Sequence, residues 1–548
     1  MLADILYCIW LVKGGLTMNA RKFTALLLTA STLAAGLAAP AFALATPAQK
    51  KETATLIDAQ AKLAQEMVDT VFSFAEPGFQ EHKTSEYLTG ILEKNGFTVE
   101  RGAAGIPTAF TATWSNGPGP KIALGSDIDG LLGLSQYPGV VEMKPMVEGG
   151  PGHGEGHNSG MPMMIVAALA AKQIMEKNGI KGTLMLWPGV AEELLATKAY
   201  YVRAGMFKDV DASIFAHVGR DLGTQWGPAG NNGMVSVEYT FKGKTAHAAG
   251  QPWDGRSALD GVELMNVAWN MRREHLPVTQ RSHYVITEGG GQPNIVPEKA
   301  SVWYYFRENK FSSIRGLYEI GNRIAKAAAM ATDTTVTQRT LGYAAPNYGN
   351  KPLAEALYAN IKTVGLPTWS AADQGFAKAM QQTNGQKVEP LVSTLAPLST
   401  PETRGQSMGG GSDDIGDIMW TVPTVTIRYP SNIPNAIGHN RQSAIAMATP
   451  IAHKGVMVGA KAVAMTVLDL MTTPKIIADA KAYQQDVQFK TDKYDPLLTP
   501  EDKPAIWLNT DIMAKMAPQQ SKYYYDATKY KTYLEQLGIN YEDFAKVK

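Results

Sequence analysis

The stretch Gly152-His153-Gly154-Glu155-Gly156-His157-Asn158 places two imidazoles and a carboxylate within five positions of a glycine-dense run. Glycine lets a backbone fold tightly enough for neighbouring side chains to converge. Imidazole nitrogen and carboxylate oxygen together suit zinc or manganese in a hydrolytic site. The same residues would also make a polar, capped helix start. Glu192-Glu193, which follows Trp187-Pro188-Gly189, is the second signal. Of two adjacent carboxylates, one can bind a cation while the other, unligated, takes a proton from water. An acidic first helical turn favoured by the helix dipole has the same pattern. His217 closes the apolar run Ser213-Ile214-Phe215-Ala216, and His439 stands in Ile437-Gly438-His439-Asn440. Each histidine alone is more often a core residue than a ligand. What favours chemistry is that all of these groups fall where one sheet edge would gather them.

That edge follows from the order of elements. Residues 53–74 and 82–95 have helical spacing of apolar positions, as do 161–177 and 192–204. Short apolar runs at 121–125, 183–187 and 213–216 each close on polar residues: Asp127-Ile128-Asp129, Glu192-Glu193 and His217. A later run, 424–428, precedes His439 and could extend the same sheet. Strands alternating with helices predict an α/β fold with a mostly parallel sheet covered by helices. In such sheets ligands gather at the carboxyl ends of the strands. Between 232 and 345 the order becomes β-α-β-β-α-β, the ferredoxin-like unit, which predicts an inserted α+β lid or dimerisation domain. The expected divisions are a catalytic domain in two parts (46–231 and 346–475), the inserted domain (232–345) and a C-terminal extension (476–548), read as an appended helical segment.

The chain of 548 residues balances 51 Lys+Arg against 50 Asp+Glu, a formal net charge of +1 that offers no basic footprint for nucleic acid. Its 45% hydrophobic content excludes a disordered chain. From Met18 a basic start (Arg21, Lys22), an apolar stretch and Ala41-Phe42-Ala43 have the layout of a secretory signal peptide. Residues 1–43 are therefore expected to be a leader, with Met18 its true start, leaving a secreted or periplasmic chain with no membrane anchor. The single cysteine, Cys8, falls inside that leader, which suits an oxidising compartment and excludes thiolate metal sites. Two other runs lead elsewhere and fail. Gly405-Gln406-Ser407-Met408-Gly409 matches a serine nucleophile elbow, but no apolar strand enters it. Gly243-Lys244-Thr245 ends like a P-loop, but Glu238 stands where a glycine is needed. Trp303-Tyr304-Tyr305 alternates as a strand and reads as core and interface.

Several segments together resemble the aminoacylase/carboxypeptidase-type co-catalytic metallohydrolases, in their amidohydrolase branch. They are Ser126-Asp127-Ile128-Asp129, the 152–158 loop, Pro188 to Glu193, Phe215 to Val218, Gly243 to Ala248, Asn294 to Pro297 and Gly411 to Asp417, within a likeness spanning about residues 55–470. The resemblance implies a centre of two divalent metal ions, zinc or manganese, with Glu155, His157, Glu193, His217 and His439 as ligands. It makes Glu192 the general base, places Asp127 and Asp129 behind the ligands, and has His247 stabilise the oxyanion from a partner subunit. Asn294 and Arg307 then hold the substrate's carboxylate. The family usually carries Cys where Glu155 stands; glutamate is the harder ligand and moves preference toward metals held by oxygen and nitrogen. The implied activity is hydrolysis of a small-molecule amide, an N-acyl or N-aroyl amino acid such as aminobenzoyl-glutamate or a dipeptide-like substrate, by a homodimer formed through the inserted domain. The rival is a periplasmic metal- or ligand-binding protein that kept the fold without turnover.

Overall fold

The computed structural model describes residues 44–195, 197–404 and 410–547. The leader and the 405–409 run lie outside them. Two main sheets contain β1 (Thr98–Arg101), β2 (Phe110–Ser115), β3 (Lys121–Asp127), β4 (Thr183–Gly189), β5 (Ala212–Gly219), β6 (Gly223–Thr224), β7 (Gly233–Lys242), β8 (Arg281–Glu288), β9 (Lys299–Glu308), β10 (Thr335–Ala344) and β11 (Thr424–Pro430). The helices that matter most are α1 (Pro47–Ala59), α2 (Ala61–Phe74), α3 (His82–Lys94), α4 (Gly160–Asn178), α5 (Lys198–Ala204), α6 (Ala258–Arg272), α7 (Phe311–Ala331) and α8 (Pro450–Thr472).

The large sheet runs β1-β2-β4-β3-β5-β11-β6. Its central four strands are mutually parallel, and β1, β2 and β6 add antiparallel edges. Nearly every residue of β3, β4 and β5 is buried, because a strand covered on both faces must be apolar at each position and not at every second one. The expected strand at 424–428 is β11, in register beside β5 with Arg428 opposite His217. Helix α4 is buried almost all round and ends at Gly179, whose φ of 65° a side-chain-bearing residue rarely adopts. Helix α8 is long and apolar enough to cross a membrane by composition, but 83% of that stretch is buried in the core, which accounts for its apolarity.

The second sheet, order β10-β7-β9-β8, is fully antiparallel and is the ferredoxin-like arrangement that the β-α-β-β-α-β order predicted. Phe241, Val302, Tyr304, Phe306 and Trp269 form its own core beneath α6 and α7.

Two expectations need correction. The apolar spacing at 53–74 belongs to two helices, α1 and α2, that break at Gln60, where φ −97° and ψ 9° leave the helical well. The 192–204 stretch is not one helix: a single turn at Glu192–Leu194 is flanked by Ala191 and Leu195, both left-handed at φ 50°, and α5 begins only at Lys198. The C-terminal extension contains helical segments, Pro474–Tyr483 and Thr510–Gln520 among them, and it also works as a strap. Asp495 forms a two-pronged bond with Arg315 of α7 (2.8 and 2.6 Å), and Trp507 lies under the Arg339 guanidinium of β10 at 4.4 Å. Farther along, Tyr533 is buried against Phe72 of α2, its amide donating to Asp69 at 3.0 Å. One segment thus grips both sheets' domains.

Truncating a buried aromatic costs about 3–5 kcal/mol. Tyr533→Ala should lower unfolding free energy by about that much in a denaturant titration; a loss below about 1 kcal/mol would show that the extension is not part of the core.

Candidate metal centre

The glycine loop before α4 owes its shape to close approach. A Cβ on Gly152 would sit 2.1 Å from the Leu134 carbonyl oxygen, and Gly156 holds φ 82°. The loop separates residues that lie side by side in the sequence. His153 turns away from Glu155 and His157 to face the Val71 carbonyl at 3.1 Å, and burial pushes its proton affinity down to about 3. Only Glu155 and His157 remain at the sheet edge.

The turn carrying Glu192 and Glu193 is held by groups from outside it. Before the turn, Ala191 N–H donates to Glu81 at 2.7 Å; within it, Glu193 N–H donates to Asp129 at 3.0 Å. After it, the amides of Thr197 and Lys198 donate to Asp414 at 3.3 and 3.2 Å. The Lys198 ammonium, wholly buried, bonds Asp127 at 2.6 Å and also Asp414. Left-handed backbone at two non-glycine residues costs roughly 1–3 kcal/mol each and persists only when surroundings over-determine it. These anchors supply that determination. Nothing in the sequence marks Glu81 or Lys198 as site residues. Asp414 lies in the Gly411–Asp417 segment, and Lys198, five positions past the carboxylate pair, gives no local sign that it is buried.

The structure brings Glu155, His157, Glu192, Glu193, His217 and His439 together. Glu155 lies at the centre, one oxygen 3.7 Å from His157 Nε2 and 3.4 Å from His217 Nε2, the other 3.2 Å from His439 Nε2. His439 Nε2 is also 3.4 Å from Glu193, and Glu192 is 4.0 Å from His157 Nε2. Behind His157, the Asp129 carbonyl is 3.2 Å and its carboxylate 3.4 Å from Nδ1. Donor atoms of Glu155, His157 and His217, and those of Glu155, His157, Glu192 and Glu193, lie mutually within 4.8 Å.

This arrangement is electrostatically unbalanced. Burial opposes charge on His157, but Asp129, then Glu193 and Asp127, carry its proton affinity up to about 10. Burial raises Glu193 to about 8 against the pull of His157, with Glu155 and Asp129 raising it further. Glu192 is pushed well above the usual carboxylate range by burial, then by Asp127 and Asp413. Burial pushes Glu155 upward too, but contacts with His217 and His439 overcome it and leave its carboxyl well below the ordinary value. A divalent cation fits such a set: it takes imidazole lone pairs and supplies the positive charge that a proton on His157 otherwise provides. Nitrogen and oxygen donors without sulfur suit a divalent ion that takes imidazole and carboxylate together.

The other candidates divide. Asp127 sits beneath the cluster on Lys198. Arg307, on β9, lies at the Glu192 end of the cluster, its Nη1 3.3 Å from the Ser412 hydroxyl and its guanidinium over the Tyr305 ring at 5.2 Å. Burial lowers the proton affinity of Arg307, offset by Tyr305 and Glu192. His247 and Asn294 are on the inserted domain, joined by a bridge from His247 to Ile295 and a 3.1 Å bond from Ala248 N–H to the Asn294 carbonyl. Among the described residues nothing bonds either one to the cluster. The amides of Ala249 and Gly250 both donate to His247 Nδ1 at 3.1 Å, which assigns the ring proton to Nε2 and leaves that N–H as a donor.

The chain is similar to known proteins over most of its length. Residues 229–331 match the peptidase dimerisation domain family. The chain is 32% identical over 461 residues to a subunit of the p-aminobenzoyl-glutamate hydrolase of Escherichia coli (strain K12), covering 79% of this chain and 94% of that protein. It is 27% identical over 436 residues to the Xaa-Arg dipeptidase of Mus musculus, covering 78% and 90%. The crystal structure of the aminobenzoyl-glutamate utilization protein from Klebsiella pneumoniae superposes with a TM-score of 0.52 at 17% identity, over 75% of this chain and 96% of that one, a likeness of fold.

Removing one partner of a buried ion pair leaves an uncompensated charge and costs about 3–5 kcal/mol. Lys198→Met should lose about that much stability in urea because Asp127 and Asp414 are left facing each other; a variant as stable as the parent would contradict the clamp.

Proposed function

The chain belongs to the M20 peptidase family of metal-dependent amide-bond hydrolases, and on that premise we propose that it hydrolyses N-acyl or N-aroyl amino acids, with aminobenzoyl-glutamate-like and dipeptide-like compounds as its substrate class. The observation that carries this reading is the convergence of Glu155, His157, Glu193, His217 and His439 around one point, with Glu192 beside them.

Those five residues would hold two divalent ions, zinc or manganese. Such ions supply Lewis acidity toward the amide carbonyl and make water acidic enough to react near neutral pH. Glu192 accepts a proton from the attacking water and returns it to the leaving amine, which breaks the carbon–nitrogen bond. Its buried, acid-crowded setting suits a carboxyl that must carry a proton between two steps. Asp129 orients His157, as a carbonyl or carboxylate behind a ligand imidazole does. Arg307 offers a planar fork to the substrate's carboxylate, with Asn294 as its companion. The position of His247 and Asn294 on the inserted domain suits a homodimer formed through residues 232–345, in which each protomer lends the His247 Nε2–H to the oxyanion of the other's site. Export with cleavage after Ala43 belongs to the same reading; the leader's composition and the cysteine-free remainder support it.

The test is amino acid release from a panel of N-acyl and N-aroyl amino acids, including p-aminobenzoyl-glutamate, by protein stripped with chelator and resupplied with zinc or manganese. Turnover should vanish on stripping and return with metal. Glu192→Gln should lower kcat about 10²- to 10⁴-fold while metal content by mass spectrometry stays at the parental level. Metal-loaded protein that turns over nothing, or a Glu192→Gln variant as active as the parent, would overturn the reading in favour of a binding protein.

A further inference from the structure

A cavity of about 580 Å³ is lined by Glu155 and His217 of the cluster and not by Glu192. Its wall carries two guanidinium groups. Arg428 Nη1 is held 2.5 Å from His217 Nδ1 and 3.2 Å from the Val218 carbonyl, while Arg220 Nη2 donates to the Ala436 carbonyl at 3.4 Å. Among the described residues, neither arginine has a protein carboxylate within ion-pairing distance. Two acids, Glu389 and Asp221, share the wall; Glu389 pairs with Lys387 at 2.6 Å and feels the Arg220 charge only as a weaker, longer-range attraction. The rest of the lining includes Pro390 and Val392, apolar surface that would pack a carbon chain or a ring.

Arginine without a carboxylate partner at a cavity wall is a ready anion acceptor, because its fork matches a carboxylate bidentately. The cluster therefore lies between positive groups at both ends: Arg307 near Glu192, and Arg220 with Arg428 near Glu155 and His217. An amide carbonyl at the cluster, with its amino acid carboxylate toward Arg307, directs the acyl group into this cavity.

We infer that the preferred substrates carry an acid on each side of the scissile amide, an N-acyl amino acid whose acyl group is itself a dicarboxylic acid, with Arg220 and Arg428 as the residues that select it. This rests on the hydrolase reading above and narrows it. It separates this chain from an enzyme whose substrate keeps all its acid on the amine side.

The experiment is a set of matched pairs assayed with metal-loaded protein: N-glutaryl against N-valeryl, N-succinyl against N-butyryl, and 4-carboxybenzoyl against benzoyl, each on the same amino acid. A charge-assisted contact predicts that kcat/KM favours the acidic member by about tenfold or more. In Arg220→Ala, which touches none of the clustered residues, that ratio should fall toward one; Arg220→Lys should restore part of it. A ratio near one in the parent, or a ratio that Arg220→Ala leaves intact, would overturn the proposal while turnover of the neutral members left the hydrolase reading standing. Metal-loaded protein that cleaves no member of any pair would bring down both.

Discussion

Carboxylates crowded away from water lose hydration and repel one another, so they persist in a fold only where positive charge is built in among them. Asp127, Asp129, Glu192, Glu193 and Asp414 all sit at one edge of the large sheet, and two devices answer them. Lys198 is fixed and internal, an ammonium locked between Asp127 and Asp414. The imidazoles of His157, His217 and His439 form the second, a layer open to exchange around Glu155. The first makes the edge foldable, and the second leaves it able to take a cation.

The parallel sheet makes this concentration possible. Adjacent strands β4, β3, β5 and β11 end on the same side, so the residues that follow them meet although they lie far apart in the chain. A price in backbone strain appears at Ala191, Leu195 and His439, three non-glycine residues with left-handed φ, all within or beside the cluster. The extension then ties the second sheet's domain to the first through Asp495 and Trp507, which bears on a site whose Arg307 comes from one domain and whose imidazoles come from the other.

Much of this was legible in the sequence because it is periodic. The continuous apolar runs at β3, β4 and β5 and the βαββαβ order at 232–345 follow from patterns that burial on two faces or one imposes. The gathering of acids and imidazoles at the strand ends follows from the same topology. What stayed hidden depends on distant partners. His153 lies two residues from Glu155 yet faces Val71, because the loop's path is set by contact with Leu134. The Glu192 turn looked helical because nothing local shows that Glu81 and Asp414 pull it open. Lys198 reads as an ordinary surface cation until Asp127 and Asp414 close on it, and the extension makes its contacts one residue at a time, without a period to detect.

Anomalous diffraction from crystals grown with zinc or manganese tests the metal centre most directly. The expected result is two peaks within the cluster of Glu155, His157, Glu193, His217 and His439. Peaks confined to surface positions, with Glu155 still in contact with the three imidazoles, would contradict it.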